Sequence, residues 1–214
     1  MKESPITFNG DMVRAILAGQ KTKTRRIIKG RPSKTQQDAL FCPYGHPSDR
    51  LWVQEAWYYE MHMHDMTAGE PNLPGGLYSH RCIYRADQPD YPVDIGVGGD
   101  GWCPPCRMPR WFSRITLEIT DVHVERVQDI TNDEAIAEGA YEVRKVGDDI
   151  AHATWTMDGL DWRYDTPREA FAATWGSLYA ADGLGWDANP WVWVVTFKRV
   201  ENQKCPKNKS PKIK

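Results

Sequence analysis

Long hydrophobic runs are missing from this 214-residue chain. No stretch approaches the roughly 18 consecutive apolar residues of a membrane-spanning helix. The opening MKESPITFNG has no apolar core of a secretory signal, so the expected compartment is the cytoplasm. Cysteine is scarce and odd in number, five in all, which excludes a disulfide scaffold and predicts reduced thiols. Net charge is nearly absent too: 27 Lys and Arg stand against 29 Asp and Glu, for −2 overall. Bulk charge therefore makes no case for a nucleic-acid partner. There is no P-loop, dinucleotide fingerprint, HExxH or GxSxG motif, which removes the commonest nucleotide-dependent and hydrolase chemistries. No internal repeat is visible, so a solenoid or propeller is excluded.

What is present is an ordinary globular composition. A hydrophobic fraction of 41% with 26% charged residues supports a real core and excludes a wholly disordered or fibrous chain. The length favours one elaborated domain over two, expected over 5–200. The glycine- and proline-rich stretch 65–109, with GEPNLPGG and DQPDYPVDIGVGGDG around the short strand candidate HRCIYRA, reads as an insertion or lid. A further loop is expected over 140–165. Residues 201–214, with five lysines and two prolines among polar residues, read as a disordered basic tail. The remaining charge is uneven, because residues 1–35 carry nine Lys or Arg and only two acids. One face is thus expected to attract anions.

Periodicity places the elements. Asp11 is expected to cap a short helix carrying Met12, Val13, Ile16 and Leu17, with Gly19 at its left-handed C′ position. KTKTRRII follows as a strand with Thr22, Thr24 and Arg26 on one face. LWVQEAWYY reads as one strand. In FSRITLEITDVHVERV, Ile115, Leu117 and Ile119 alternate with Thr116, Glu118 and Thr120. Thr131 and Glu134 form a capping box for a helix that stops at Gly139. A longer helix starts at Thr166, with Pro167 at N1 and Glu169 at N3, and is expected to bury Phe171, Trp175 and Leu178. PWVWVVTFKRV closes the chain as a long strand. Strands interrupted by short helices without regular alternation give an α+β class with a curled sheet or small barrel.

Two segments have chemical interest. In AGQKTKTRR a helix end delivers a lysine into a turn, and a threonine and two arginines follow on an extended segment. In AIAEG, Glu138 sits in the last helical turn, where the helix dipole already carries partial negative charge; an acid there needs a positive partner or a chemical role. On an ideal strand Lys21 and Thr24 point to opposite faces, so they converge only if Lys21 lies in the turn after Gly19. The basic run Lys21, Lys23, Arg25 and Arg26 also reads as a solvated strand edge. For Glu138, a helix-end salt bridge is the plainer alternative.

The pattern G-x-K-x-x-x-x-R, standing as Gly19-Gln20-Lys21-Thr22-Lys23-Thr24-Arg25-Arg26 after ILAG, resembles the signature of the ASCH domain in the PUA-like superfamily. DRLWVQEAW at 49–57, SRITLEITDV at 113–122, AEG at 137–139 and the closing WVWVVTF are similar to further family segments. MPRW before SRITLEI and WDANPWVWV resemble phage- and prophage-borne members in particular. The resemblance implies a small β-barrel flanked by short helices, with a cleft for RNA or a modified nucleobase or nucleoside.

One ASCH type is an amidohydrolase that deacetylates N4-acetylcytidine with a lysine, a threonine and a glutamate. By that resemblance Lys21, Thr24 and Glu138 are the candidate catalytic residues. On these residues the chemistry is a lysine amine activating the Thr24 hydroxyl, with Glu138 relaying a proton and Arg26 or a backbone N–H at the oxyanion. Other members are ribonucleases, and a non-catalytic reader of RNA or modified DNA is the remaining alternative, with Arg25 and Arg26 on phosphates. Lys23 joins these as a candidate binding residue. No cofactor, metal or membrane is implied.

Glu55, in the middle of an apolar strand, is an alternative acid for the cleft, and Trp52 or Trp57 beside it is a candidate stacking platform for a base. Trp175, Trp191 and Trp193 are expected in the core. The WCPPC spacing of Cys103 and Cys106 reads first as a Pro-rich turn and then as half of a zinc site or a redox pair. His62 and His64 alternate with Met61 and Met63, without further patterned ligands for a metal.

Overall fold

A computed structural model of the chain describes residues 1–28, 42–63, 78–90, 101–143, 154–157 and 163–200. Most of the expected 65–109 insertion, the 140–165 loop and the 201–214 tail therefore lie outside the described residues. The elements are β1 (Glu3–Thr7), α1 (Gly10–Leu17), β2 (Lys23–Ile27), β3 (Arg50–Gln54), β4 (Trp57–Met63), β5 (Tyr78–Tyr84), β6 (Thr116–Arg126), α2 (Asn132–Ala137), β7 (Tyr141–Val143), β8 (Thr154–Thr156), α3 (Pro167–Tyr179) and β9 (Trp191–Val200). Among them, no helix is long and apolar enough to cross a membrane.

The architecture is mixed α+β around a five-stranded sheet of order β1-β3-β6-β9-β2, with two small hairpins, β4–β5 and β7–β8. β1 runs parallel to β3 and the other pairings of the large sheet are antiparallel. The ladder does not close into a barrel among the described residues, because β1 and β2 are its edges. A side chain spans the gap instead: Arg26 Nη2 donates to the carbonyl of Thr7 at 2.6 Å. The Phe8 ring, just past β1, lies 6.2 Å from that of Phe197 on β9.

β9 explains the core. Val192 and Val194 face a cluster with Val127, Ile130, Ala135, Phe171 and Trp175 under α2 and α3. Trp193, Val195 and Phe197 face the other cluster, with Phe8, Val13, Ile16, Leu51, Val53 and Leu117 around α1. A strand covered on both faces needs an unbroken apolar run, which WVWVV at 191–195 supplies. Trp175 and Trp193 are buried as expected, while Trp191 is half-buried, with the Arg126 guanidinium 4.3 Å from its ring centroid.

Several sequence expectations need correction. Asn9, not Asp11, caps α1: its side chain accepts from Met12 N at 2.8 Å, and Asp11 instead pairs with Arg14 inside the helix. Both types cap well, so composition could not choose between them. LWVQEAWYY is two strands in different sheets, broken at Glu55 and Ala56. Leu178 is 48% exposed, beyond the buried stripe of Ala170, Phe171, Thr174 and Trp175.

The strict alternation of β6 also fails at a bulge. Ile119 pairs with Phe197, but Asp121 pairs with Thr196, so Thr120 is an extra residue. The bulge reverses the parity downstream. Val122 and Val124 continue on the first cluster in place of Asp121 and His123. Asp121, His123 and Glu125 are thereby turned to the opposite face, where His123 lies in register with Val194 and, one strand further, Arg25.

Candidate functional site

Lys21 occupies the turn between α1 and β2. Gly19 adopts φ +77° as the helix ends, a conformation glycine takes without a Cβ penalty. The amides of Gln20 and Lys21 then both donate to the Ala15 carbonyl, at 2.9 and 3.1 Å. On the other side of the turn, Thr22 N donates to the Ala137 carbonyl of α2 at 2.8 Å, and its own carbonyl accepts from Phe197 N at 2.8 Å. These bonds clamp Lys21 between the C-terminal ends of two helices.

Glu138 meets it there. The Lys21 ammonium donates to Glu138 Oε2 and to the Glu138 carbonyl oxygen, both at 2.7 Å. The Lys21 side chain is fully buried and that of Glu138 is 3% exposed. Short charge-assisted bonds offset the desolvation of both charges. The other oxygen, Oε1, accepts from Arg25 Nη1 at 3.2 Å. An acid in the last turn of α2 has thus acquired two cations, as the adverse helix dipole requires. Gly139, at φ +113°, ends the helix.

The face assignments follow from register. Thr24 pairs with Val195 and Arg26 with Trp193, both in the first cluster; Arg25 pairs with Val194 in the second. Thr24 is 3% exposed. Lys21 Nζ stands 5.7 Å and the Arg26 guanidinium 5.1 Å from the centroid of the Phe8 ring. Lys21, Thr24 and Arg26 therefore share the Phe8 side, the convergence that the turn position of Lys21 permits. Among the described residues Thr24 and Lys21 are not hydrogen-bonded to each other. Arg26 Nε is buried and has no hydrogen-bond partner. Phe8 carried no chemical signal in the sequence; only folding brings it beneath the two cations Lys21 and Arg26.

A cavity of about 230 Å³ opens beside the pair, with Glu138 and Gly139 in one wall, Ala15 and Gln20 from α1 and its turn in another, and Tyr141 at its edge. Tyr141 is 39% exposed.

The second face of β2 carries a different arrangement. Arg25, whose side chain is fully buried, gives Nε and Nη2 to Glu125 Oε1 at 2.9 and 2.5 Å, Nη2 also to Glu134 Oε2 at 2.9 Å, and Nη1 to Glu138. Its guanidinium lies 5.8 Å from the Phe171 centroid. Lys23 Nζ binds the other oxygen of Glu134 at 2.8 Å. Arg25 thus lies inside the protein rather than on a surface facing phosphates. His123 extends the network outward, with Nδ1 at 2.8 Å from Asp121 Oδ2 and Nε2 at 3.5 Å from Glu125 Oε2. Burial pushes the Glu125 and Glu134 carboxyls up, but His123 and Arg25 on the first, and Lys23, the Thr131 amide and Arg25 on the second, outweigh it and hold both below the ordinary value. The Glu125 contact raises His123 above its ordinary value, against burial and with help from Asp121.

Trp52 and Glu55 belong elsewhere. Trp52 is half-buried, with Arg110 6.0 Å from its ring, and Arg110 pairs with Glu3. Glu55 is 1% exposed and bound by both oxygens to Arg114, at 2.8 and 2.9 Å; Arg114 also holds Asp87 and lies 4.0 Å from the Tyr84 ring. No hydrogen bond, ion pair or ring contact joins Trp52 or Glu55 to Lys21, Thr24 or Glu138 among the described residues. Trp57 is buried against Phe112, 4.8 Å between centroids, and offers no open platform. Cys103 pairs with Trp57 in a β-bridge and Cys106 is exposed in a short turn. No group of three or more His, Cys, Asp or Glu that would hold a metal occurs among the described residues. The side chains of Met61, His62 and Met63 fall outside the described ones, as does His64.

No family model matches the chain, and no curated protein matches it. A solved structure does. The chain is similar to the crystal structure of an ASCH domain from Lactobacillus crispatus JV V101, at 13% identity and a TM-score of 0.39, over 92% of this chain and 79% of that one.

Proposed function

We propose that the protein binds RNA or a modified nucleoside at the Lys21–Thr24–Glu138 site and hydrolyses the amide of an N4-acylcytidine. The observation that carries this reading is the buried Lys21–Glu138 contact of 2.7 Å, whose glutamate lines an open cavity. A proton moving across that contact from Nζ to Oε2 leaves a neutral amine and a carboxylic acid, which together form a base and an acid within one site.

The steps then balance. The Lys21 amine takes the Thr24 hydroxyl proton as Thr24 Oγ1 forms a bond to the acyl carbon. The carbonyl π electrons move to oxygen, and Arg26 Nε, buried and unbonded on the Thr24 face, donates to that oxyanion. The carbonyl re-forms, the C–N bond breaks, and Glu138 gives its proton to the departing cytidine nitrogen. Water, losing a proton to Glu138, then attacks the threonine ester. The alkoxide that leaves takes its proton back from the Lys21 ammonium, freeing the acid and restoring Thr24; proton return from Glu138 to Lys21 resets the pair.

Turnover of N4-acetylcytidine, followed chromatographically as cytidine release, tests the reading on the purified protein. Release by the wild type, its loss in Thr24→Ala with binding retained, and its loss in Lys21→Ala at temperatures where circular dichroism shows a folded chain are the expected results. No release by the wild type at high enzyme and long incubation would overturn the hydrolase. Cleaved phosphodiester ends on RNA would assign a ribonuclease, and salt-dependent binding without products a reader.

A further inference from the structure

Arg25 is a fully buried cation on the side of β2 that faces away from Thr24. Nothing in the proposed chemistry uses it, yet four of its N–H bonds go to three glutamates from two elements: Glu125 on β6, Glu134 on α2 and Glu138 at the end of α2. A buried guanidinium is costly unless its fork is fully met. Val194 and Phe171 beside it would accept an apolar side chain, so the three carboxylates, not the packing, are what call for a guanidinium here. The geometry of its contact with Glu138 is specific: Arg25 takes Oε1 and leaves Oε2, 2.7 Å from Lys21, as the oxygen on the reacting side. Glu125 and Glu134 hold the guanidinium from the far side, at 2.5 to 2.9 Å.

We propose that Arg25 is the positioning residue of this site: it fixes the Glu138 carboxylate by one oxygen so that the other is aimed at the Lys21 ammonium. The bulge at Thr120 is what makes this possible, because it turns Glu125 to the face on which Arg25 lies. The inference rests on the proposed site chemistry for its kinetic consequence but not for its geometry, and the two are tested separately.

The test uses the full chain with Arg25→Lys and with the charge-balanced pair Arg25→Gln/Glu125→Gln. Lysine keeps the charge but reaches one carboxylate as a point donor in place of a fork. The double variant removes one cation and one anion together, so it keeps a folded form available for measurement if Arg25→Lys does not fold. Two readouts are taken on each folded variant. One is the NMR titration of the Lys21 side-chain carbon next to Nζ. The other is the pH profile and kcat against KM for N4-acetylcytidine.

Positioning predicts that the Lys21 titration midpoint moves by about half a unit or more when Arg25 no longer holds Glu138. It further predicts that kcat falls by about tenfold or more with KM nearly unchanged, the signature of misplaced groups. A Lys21 midpoint equal to that of the wild type in a folded variant overturns the inference, whatever the turnover. If the wild type hydrolyses no acylcytidine, the proposed function fails by itself, and the Lys21 titration still decides whether Arg25 governs the pair.

Discussion

Lys21 and Glu138, 117 residues apart, meet at 2.7 Å where the C-terminal ends of α1 and α2 abut, with almost no exposure of either side chain. Glu138 has a second cation in Arg25, whereas Lys21 has no other carboxylate among the described residues. The pair is therefore asymmetric. Glu138→Gln strands the Lys21 charge and should cost about 3 kcal/mol or more. At about 2–4 °C per kcal/mol for a chain of this length, Tm should fall by roughly 6–12 °C. Lys21→Met should cost less, because Arg25 still neutralises Glu138, and the double variant should recover part of the loss. Thermal melts of the three variants check the order; additive losses would mean that the two groups do not stabilise one another.

The network around Arg25 sets a pH window. Glu125 and Glu134 are held below the ordinary carboxylate value, so their contribution is present above the unfolded glutamate range near pH ~4.3 and is lost as pH falls through their lower folded values. His123 is raised, so its contribution is present below its unfolded value near ~6.5 and is lost as pH rises through its folded one. Stability from this cluster should thus peak in mildly acidic solution. Glu125→Gln should shrink the loss on both sides, by removing the acid and the main partner of His123 together. Tm measured from pH 3 to 9 in wild type and Glu125→Gln checks this; identical curves would show the cluster to be electrostatically inert.

What the sequence made legible was local. The capping boxes Thr131/Glu134 and Thr166/Glu169, the glycines at 19 and 139 and the long closing strand β9 all rest on residues a few positions apart, and the structure contains them. KTKTRRII reads as a strand that starts at Lys21, with a turn after Gly19 as the condition for Lys21 to meet Thr24; the strand in fact begins at Lys23. What was not legible depends on the tertiary fold: the glutamates Glu125, Glu134 and Glu138, 100 or more residues from Arg25, and Phe8, brought from the far side of α1 to Lys21 and Arg26. Trp52 and Glu55 were placed beside the cleft because one unbroken strand was expected there. The break at Ala56 sends the chain into a second sheet and gives Glu55 to Arg114.

That pairing gives a contrast with the Lys21 site. Burial raises the Glu55 carboxyl above its ordinary value even though Arg114 grips both oxygens. Arg114 is raised in turn, because Glu55 and Asp87 outweigh its burial. Arg114→Met should strand Glu55 and destabilise the fold by about 3 kcal/mol or more. Glu55→Gln, which keeps the shape and removes the desolvated charge, should cost less. Neither should change N4-acetylcytidine turnover measured well below Tm. A fall in kcat for folded Glu55→Gln would put Glu55 back among the working groups.

The thiols complete the picture by their differences. Cys82 is pushed up to about 11, chiefly by burial and only partly countered by a hydrogen bond with Tyr84. Burial also raises Cys42, whereas Cys106 is exposed in its turn. Since the thiolate is the reactive form, alkylation at pH 8 should label Cys106 far faster than Cys42 or Cys82. Peptide mapping by mass spectrometry after a timed pulse of iodoacetamide separates these sites. Protection of Cys106 and Cys103 together, relieved by a chelator, would instead reveal a bound metal at CPPC. Labelling of Cys106 that no chelator alters is the expected result, and it would leave WCPPC as the Pro-rich turn that carries Cys103 onto the strand of Trp57.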